Sequence, residues 1–367
     1  MVYNWQQEDW PEFSFKEEPF RAGMMAYTEQ SGRVSGMVKA LSDEVEIEVV
    51  IAALVSEAVK TSEIEGEFIS REDVMSSIRN NLGLNTFPEK VKDRRAGGIV
   101  KMMLSMRASY AAALTQSEMF EWHRLLMEGN RYVRPGAWRS SAEPMQVVSG
   151  SAGREQVHFE APPASRVPNE MKKFIAWFND TAPGGKKAIP YAPVRSALAH
   201  LYFESIHPFE DGNGRVGRAL SEKVLSQHAG RPVILSLSQV IESDKKAYYS
   251  ALKKGQRSNE VSEWLVYFID IISKAQELAE AQIEFVVKKT RFFDANKDNL
   301  NTRQLKVVRK MLDRGPSGFE GGMNARKYIS LTKASKATAT RDLRDLAAKG
   351  VLTPEGEGRS RRYFISI

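Results

Sequence analysis

The chain has 367 residues, enough for roughly two to three domains, and its 42% hydrophobic and 27% charged residues are an ordinary globular balance. A net charge of +7 permits contact with nucleotides, acidic protein surfaces or nucleic acid and selects none of them. Absence of cysteine excludes disulfides, zinc–thiolate sites and a thiol nucleophile and fits a reducing cytoplasm, and no stretch approaches about 18 uninterrupted apolar residues, so none reads as a membrane span. The opening MVYNWQQEDWPEF has no basic segment followed by an apolar run, which argues against a signal peptide.

Residues 1–20, rich in Trp, Phe and Pro, read as extended or loop structure. Val45, Val49, Ala52, Val55 and Val59 recur at three- and four-residue spacing and predict a helix over 43–60, with Asp43 and Glu46 resembling a capping box. Thr61-Ser62-Glu63-Ile64-Glu65-Gly66 follows it. Helices are predicted over 90–114 and 117–127. A turn-rich segment, 135–168, holds two β-like stretches, 145–149 and 156–159, around Gly150-Ser151-Ala152-Gly153, which reads as a hairpin. Helix resumes over 169–178. After the Pro183-Gly184-Gly185 break, helices are predicted over 194–206, from 212 to 227, over 243–254 and over 261–288. A boundary falls around 292–301, where Asp, Asn and Lys cluster. Beyond it come helices over 302–313, 324–331 and 336–348, then strands over 351–353 and 363–367. Three helices and a two-stranded wing form the winged helix-turn-helix pattern.

The stretch that carries chemistry is His207-Pro208-Phe209-Glu210-Asp211-Gly212-Asn213-Gly214-Arg215-Val216-Gly217-Arg218, between two helices. Its glycines let a ligand approach the backbone, and free N–H groups opening the second helix form an anion site. Arg215 and Arg218, three apart, share a helix face and suit phosphate oxygens. Asp211 is a hard oxygen ligand for Mg²⁺ beside those phosphates, and His207 can act as a general base near neutral pH. A calcium loop would begin similarly at Asp211 and Asn213, but Arg215 stands where an acceptor is needed and Val216 where glycine is. A zinc site on His200 and His207 lacks a third ligand.

These residues match the active-site motif of Fic-domain proteins at every defining position, and the likeness extends over roughly residues 90–290. The resemblance implies a mainly α fold: a Fic-type helical core (89–290) with a β-hairpin flap, an N-terminal domain of unknown function (1–88) and a C-terminal winged helix-turn-helix domain (291–367). It implies a protein adenylyltransferase that moves AMP from ATP to a Ser, Thr or Tyr hydroxyl of a target protein. His207 would take the hydroxyl proton and Asp211 would hold Mg²⁺. Gly212, Asn213 and Gly214 would cradle phosphate, Arg215 would support the leaving pyrophosphate, and Arg218 would face the γ-phosphate.

Thr61 to Gly66 resembles the inhibitory motif of the same family, Ser/Thr-x-x-x-Glu-Gly/Asn, and implies that Glu65 pairs with Arg218 and leaves bound ATP misaligned. By the same resemblance the hairpin over 145–159 docks the target segment, and Tyr248 and Tyr249 lie near adenine. Self-modification and a cytoplasmic homodimer are implied as well. The C-terminal segment 335–343, with Arg359, Arg361 and Arg362 at the wing, suits either DNA phosphates or a protein partner, while Asp342 and Asp345 dilute its positive charge. Removal of AMP from modified protein, and a DNA-binding regulator with a nucleotide-sensing core, are the alternatives.

Overall fold

The computed structural model describes residues 2–149, 156–316 and 318–367. It divides into two compact units, Met1–Gly36 with Val50–Ala279, and Met37–Val49 with Glu280–Ile367. In chain order the elements are α1 (Arg21–Lys39), α2 (Asp43–Ile64), α3 (Arg71–Asn81), α4 (Arg94–Ala108), α5 (Gln116–Leu126), β1 (Gln146–Ser149), β2 (Gln156–Glu160), α6 (Val167–Asp180), α7 (Ala192–Ile206), α8 (Asn213–Ala229), α9 (Leu237–Ser243), α10 (Lys245–Gly255), α11 (Ser262–Asn296), α12 (Thr302–Leu312), α13 (Ala325–Thr332), α14 (Lys336–Ala348), β3 (Leu352–Glu355) and β4 (Arg362–Ile365). The mainly α reading holds, with two small hairpins. Among the described residues no helix is long and apolar enough to cross a membrane.

In the larger unit α7 is the central element. Pro193 sits in its first turn, where a missing N–H costs nothing, and every residue of the helix is buried. One side, Ala199, Tyr202, Phe203 and Ile206, joins a core shared with α2 to α6 and α8. The other side, Val194, Ala197, Leu198 and Leu201, joins a second core with α9, α10 and the start of α11. A helix apolar all round is what a position between two cores demands. α8 returns antiparallel against it after a six-residue turn, with Ser196 Oγ donating to Ser221 O at 3.1 Å.

The N-terminal segment is tied down by its polar atoms. Asn4 is buried and its amide donates to Ser205 Oγ at 2.9 Å, while the Trp5 indole donates to Glu160 O at 2.8 Å. The β1–β2 pair is antiparallel, with Gln146 opposite Glu160 and Val147 opposite Phe159, and its register shifts between Val147 and Val148. The expected turn, Gly150 to Gly153, lies outside the described residues.

The smaller unit has its own core of Val307, Val308, Met311, Tyr328, Ala339, Leu343, Leu346 and Leu352. Each of its helices α12 to α14 starts at a side-chain cap: Asn301, Asn324 and Ser335. β3 and β4 pair antiparallel from Leu352 opposite Ile365 to Glu355 opposite Arg362.

Several elements differ from the sequence reading. α2 continues through Ile64, so Thr61 lies in its last turns, and Asp43 is its first residue rather than its cap. α1 and α3 carry weak or glycine-interrupted periodicity and were not legible. The helix expected over 243–254 is α10, started where the Asp244 carboxylate accepts from Ala247 N at 3.0 Å, and the short α9 just before it has no counterpart in the sequence reading. α11 runs to Asn296, past the expected end.

α4 and α5 cross closely at Gly98, where a Cβ would lie 2.3 Å from the Leu125 carbonyl oxygen. Backbone cannot yield there cheaply. Gly98→Ala should destabilise the unit by about 1–3 kcal/mol, read as a lowered thermal midpoint, and an unchanged midpoint would contradict the packing described.

Candidate active site

His207 ends α7 in left-handed backbone, φ 50°, with its N–H donating to Phe203 O at 2.9 Å. That conformation is unusual for a residue with a Cβ and is held from several sides. The buried Arg139 guanidinium donates to His207 O at 2.8 Å, and Arg139 N donates to Pro208 O at 2.9 Å. Burial pushes the Arg139 guanidinium down to about 10. The Asn213 side chain closes the turn: its Oδ1 accepts from Phe209 N and its Nδ2 donates to Phe209 O, both at 2.9 Å. The Asn213 side chain is therefore spent on the turn, and only its backbone can serve an anion.

His123 supports the same turn from α5. Fully buried and stacked on Phe209 at 4.1 Å, its Nδ1 accepts from Gly136 N at 2.9 Å. Its Nε2 lies 3.2 Å from Asp211 O, so the neutral ring carries its proton there and donates to the carbonyl. Burial depresses His123 to about 4, consistent with that neutral form. Gly212, φ 82°, faces Met127 Cε and Leu126 Cδ2, which a Cβ would approach to 2.7 and 2.9 Å.

His207 is partly exposed, and its Nδ1 lies 3.6 Å from Glu204 Oε2, one turn earlier on α7. Glu204 is buried; burial raises its carboxyl, but contact with His207, joined by nearby His200 and Arg218, lowers it and prevails. Gly217 makes the room, since a Cβ there would meet Glu204 Oε1 at 2.5 Å. A carboxylate behind Nδ1 leaves Nε2 as the atom available for proton transfer.

Arg218 is almost fully buried. Its Nε donates to Thr61 Oγ1 at 2.8 Å, and its Nη2 donates to Thr61 O at 3.2 Å and to Glu65 Oε1 at 2.7 Å. Burial opposes its charge, but the Glu65 carboxylate outweighs this and holds the group above its ordinary value. Gly66, φ 78°, follows Glu65 and ends the helical run. Glu65 Oε1 also stands 2.3 Å from where a Cβ of Gly214 would be, so this carboxylate lies over the opening turn of α8. That is where a helix favours an anion. Arg215 makes a parallel contact: its Nη1 donates to Glu67 Oε2 at 3.0 Å and its Nη2 reaches Asp211 Oδ1 at 3.5 Å, while its buried Nε has no partner among the described residues.

The structure thus brings together His207, Asp211, Gly212, Gly214, Arg215 and Arg218 with Thr61, Glu65 and Gly66. It does not bring Tyr248 to a nucleotide-facing surface. Tyr248 is buried, with its hydroxyl 2.7 Å from His200 Nε2, and His200 Nδ1 lies 3.2 Å from Ser221 Oγ. Tyr248 is a core residue here, and Tyr249, 43% exposed, is the member of the pair that faces solvent. Sequence reasoning missed Glu67, Glu204, His123 and Arg139. Glu204 could have been found from its i,i+3 spacing to His207.

Among the described residues no group of three or more His, Cys, Asp or Glu could hold a metal ion. The half-exposed Asp211 carboxylate fits a hard cation only if most other ligands arrive with it, as Mg²⁺ does on a polyphosphate.

Residues 113–225 match the family model described as Fic/DOC, and residues 3–84 match a domain of unknown function, DUF4172. The protein carries a Fic domain. It is related to protein adenylyltransferases. A probable protein adenylyltransferase of Aquifex aeolicus is 29% identical over 130 residues, covering 35% of each chain. A protein adenylyltransferase Fic of Nematostella vectensis is 27% identical over 160 residues, covering 44% of this chain and 33% of the relative. The chain thus spans about a third of the length of these curated relatives. In fold it resembles a Fic family protein of Desulfovibrio desulfuricans, TM-score 0.54 at 18% identity over 97% of this chain and 98% of that one. It also resembles a Fic-domain signalling protein of Bacteroides thetaiotaomicron, TM-score 0.54 at 17% identity over 72% of this chain and 96% of that one.

The buried neutral His123 makes the Fic turn acid-sensitive. The unfolded chain binds a proton there below about 6.5, and the folded protein does not until about 4. Stability is therefore lost as pH falls through this window, by up to about 3 kcal/mol. The urea midpoint should drop between pH 7.5 and 4.5, and His123→Gln should show a smaller drop; equal drops would refute this assignment.

Proposed function

We propose that the protein is an autoinhibited adenylyltransferase that moves AMP from ATP to a hydroxyl of a protein side chain. The observation that carries this reading is the convergence of His207, Asp211, Arg215 and Arg218 on the opening turn of α8, where an acidic side chain lies over Gly214. In the productive state a triphosphate takes that place. His207 Nε2 removes the proton of the incoming hydroxyl, with Glu204 orienting the ring. The oxygen attacks the α-phosphorus in line, the bond to the bridging oxygen breaks, and pyrophosphate leaves with its negative charge facing Arg215 and Arg218. Asp211 is the residue that would hold Mg²⁺, whose charge offsets that of the phosphates when bound. The rest of the acceleration comes from positioning and from fixed cations in a largely buried site.

In this reading Glu65 and Glu67 are the brakes. Each occupies an arginine that the phosphates need, and a misplaced α-phosphorus suppresses transfer. The target segment adds to the β1 edge of the hairpin. The opposite edge is engaged already, since His158 O and Glu160 O accept from the Arg257 and Trp5 side chains. We also read the smaller unit's three capped helices and hairpin as a winged helix-turn-helix.

Incubation with ATP labelled at the α-phosphate tests the reading. Glu65→Gly should raise label on protein tenfold or more, and His207→Ala in that background should abolish it. Glu67→Gln should give a smaller rise. No label from any of these variants would refute transfer, and release of label from modified protein would mean removal of AMP instead.

A further inference from the structure

The net positive charge of this chain is confined to one end. Residues 302–367 carry fifteen Lys and Arg against six Asp and Glu, a net of +9, whereas the whole chain carries +7. The preceding 301 residues are therefore slightly acidic, near −2. An excess so placed serves the segment that holds it.

The structure shows where this charge is displayed. Asp342 and Asp345, which dilute the charge of α14 in the sequence, are both paired within the unit, Asp342 in its core and Asp345 at its surface. Asp342 is buried, and its carboxylate accepts from Arg303 Nε and from the Tyr328 hydroxyl, each at 2.9 Å. Asp345 accepts from Lys349 Nζ at 2.6 Å and from Gln304 Nε2 at 2.7 Å. Ala339, Asp342, Leu343 and Leu346 form the inward face. The outward face carries Lys336, Arg341 and Arg344, around the small residues Ala337, Thr340 and Ala348, and these line one shallow depression together with Asp345, whose charge Lys349 offsets. Among the described residues none of the three cations has an acidic partner.

We propose that this face of α14 binds double-stranded DNA, with the helix in the major groove and Lys336, Arg341 and Arg344 on the flanking phosphates. Protein interfaces are built on large aromatic or aliphatic anchors, and this face has none. Phosphates need only cations, and small side chains between them let the helix seat deeply. The thirteen residues of α14 rise about 20 Å, and the major groove of B-form DNA, about 12 Å wide, admits such a helix. The deep, narrow major groove of A-form RNA does not. Arg361, exposed beside the β3–β4 hairpin, adds a cation outside the helix.

The test uses the full chain and a fluorescent 20-base-pair DNA duplex, with anisotropy read between 50 and 200 mM KCl, about the range over which phosphate contacts weaken. Binding should weaken with salt. The triple variant Lys336→Gln, Arg341→Gln, Arg344→Gln should lower the log–log slope by about 2.7, at about 0.9 per phosphate contact. A control of equal charge change on the larger unit, Lys172→Gln, Lys173→Gln, Lys186→Gln, should leave the slope unchanged. Ala337→Glu, which keeps all three cations, should weaken binding at least tenfold. No binding at 50 mM, an unaltered slope in the triple variant, or equal binding of a 20-base-pair RNA duplex would each overturn the proposal.

Discussion

Burying a guanidinium is costly, and at Arg218 an anion beside it offsets much of that cost. Arg218 is 2% exposed in the middle of the larger unit, among α2, α7 and α8. Removing a charge from water costs several kcal/mol, and close pairing with full hydrogen bonding is what offsets it. Thr61 supplies two acceptors and Glu65 supplies the charge. The end of α2 is thereby fixed against the first turn of α8, although the two helices lie far apart in the chain. The same requirement makes the contact exchangeable. An anion that reached the α8 turn and satisfied Arg218 would replace Glu65, and in the proposed function that anion is a polyphosphate. Charge pairing, not shape alone, links the end of α2 to the opening turn of α8.

The turn that holds this site is rigid because three different interactions converge on it. Asn213 folds back onto Phe209, Arg139 grips the His207 carbonyl, and neutral His123 holds the Asp211 carbonyl while stacking on Phe209. Each employs a polar side chain for backbone geometry and leaves the chemistry to its neighbours. α7 supplies the base for this arrangement by separating two hydrophobic cores, so its C-terminal residue cannot shift without disturbing both. Fixed positioning of this kind is what phosphoryl chemistry rewards.

Much of this was legible in the sequence, and the reasons for the rest are physical. The stretch from His207 to Arg218 is local, so its loop, helix start and paired arginines could be read from spacing. α14 shows in the sequence with its observed bounds because Ser335 caps it and Gly350 follows it. Pairings across long sequence separations had no local signal. Glu67 on Arg215 and His123 on Asp211 depend on how α2 and α5 pack, which periodicity does not specify. Tyr248 and Tyr249 look equivalent as neighbours, yet consecutive helical residues point about 100° apart, and only one faces solvent. Asp342 of α14 shows the same limit: charge counts ignore direction, and its carboxylate points into the core.

Gly66 has a consequence for how the site could be released. It lies between Glu65 and Glu67 in backbone that a side chain resists, and so one bend delivers two carboxylates to two different arginines. Losing either acid takes one carboxylate from one arginine and leaves its neighbour's in place. Straightening the bend would withdraw both at once. Under the proposed function, a graded dial and an all-or-none latch would thus share three consecutive residues, one reached through charge and the other through a single torsion.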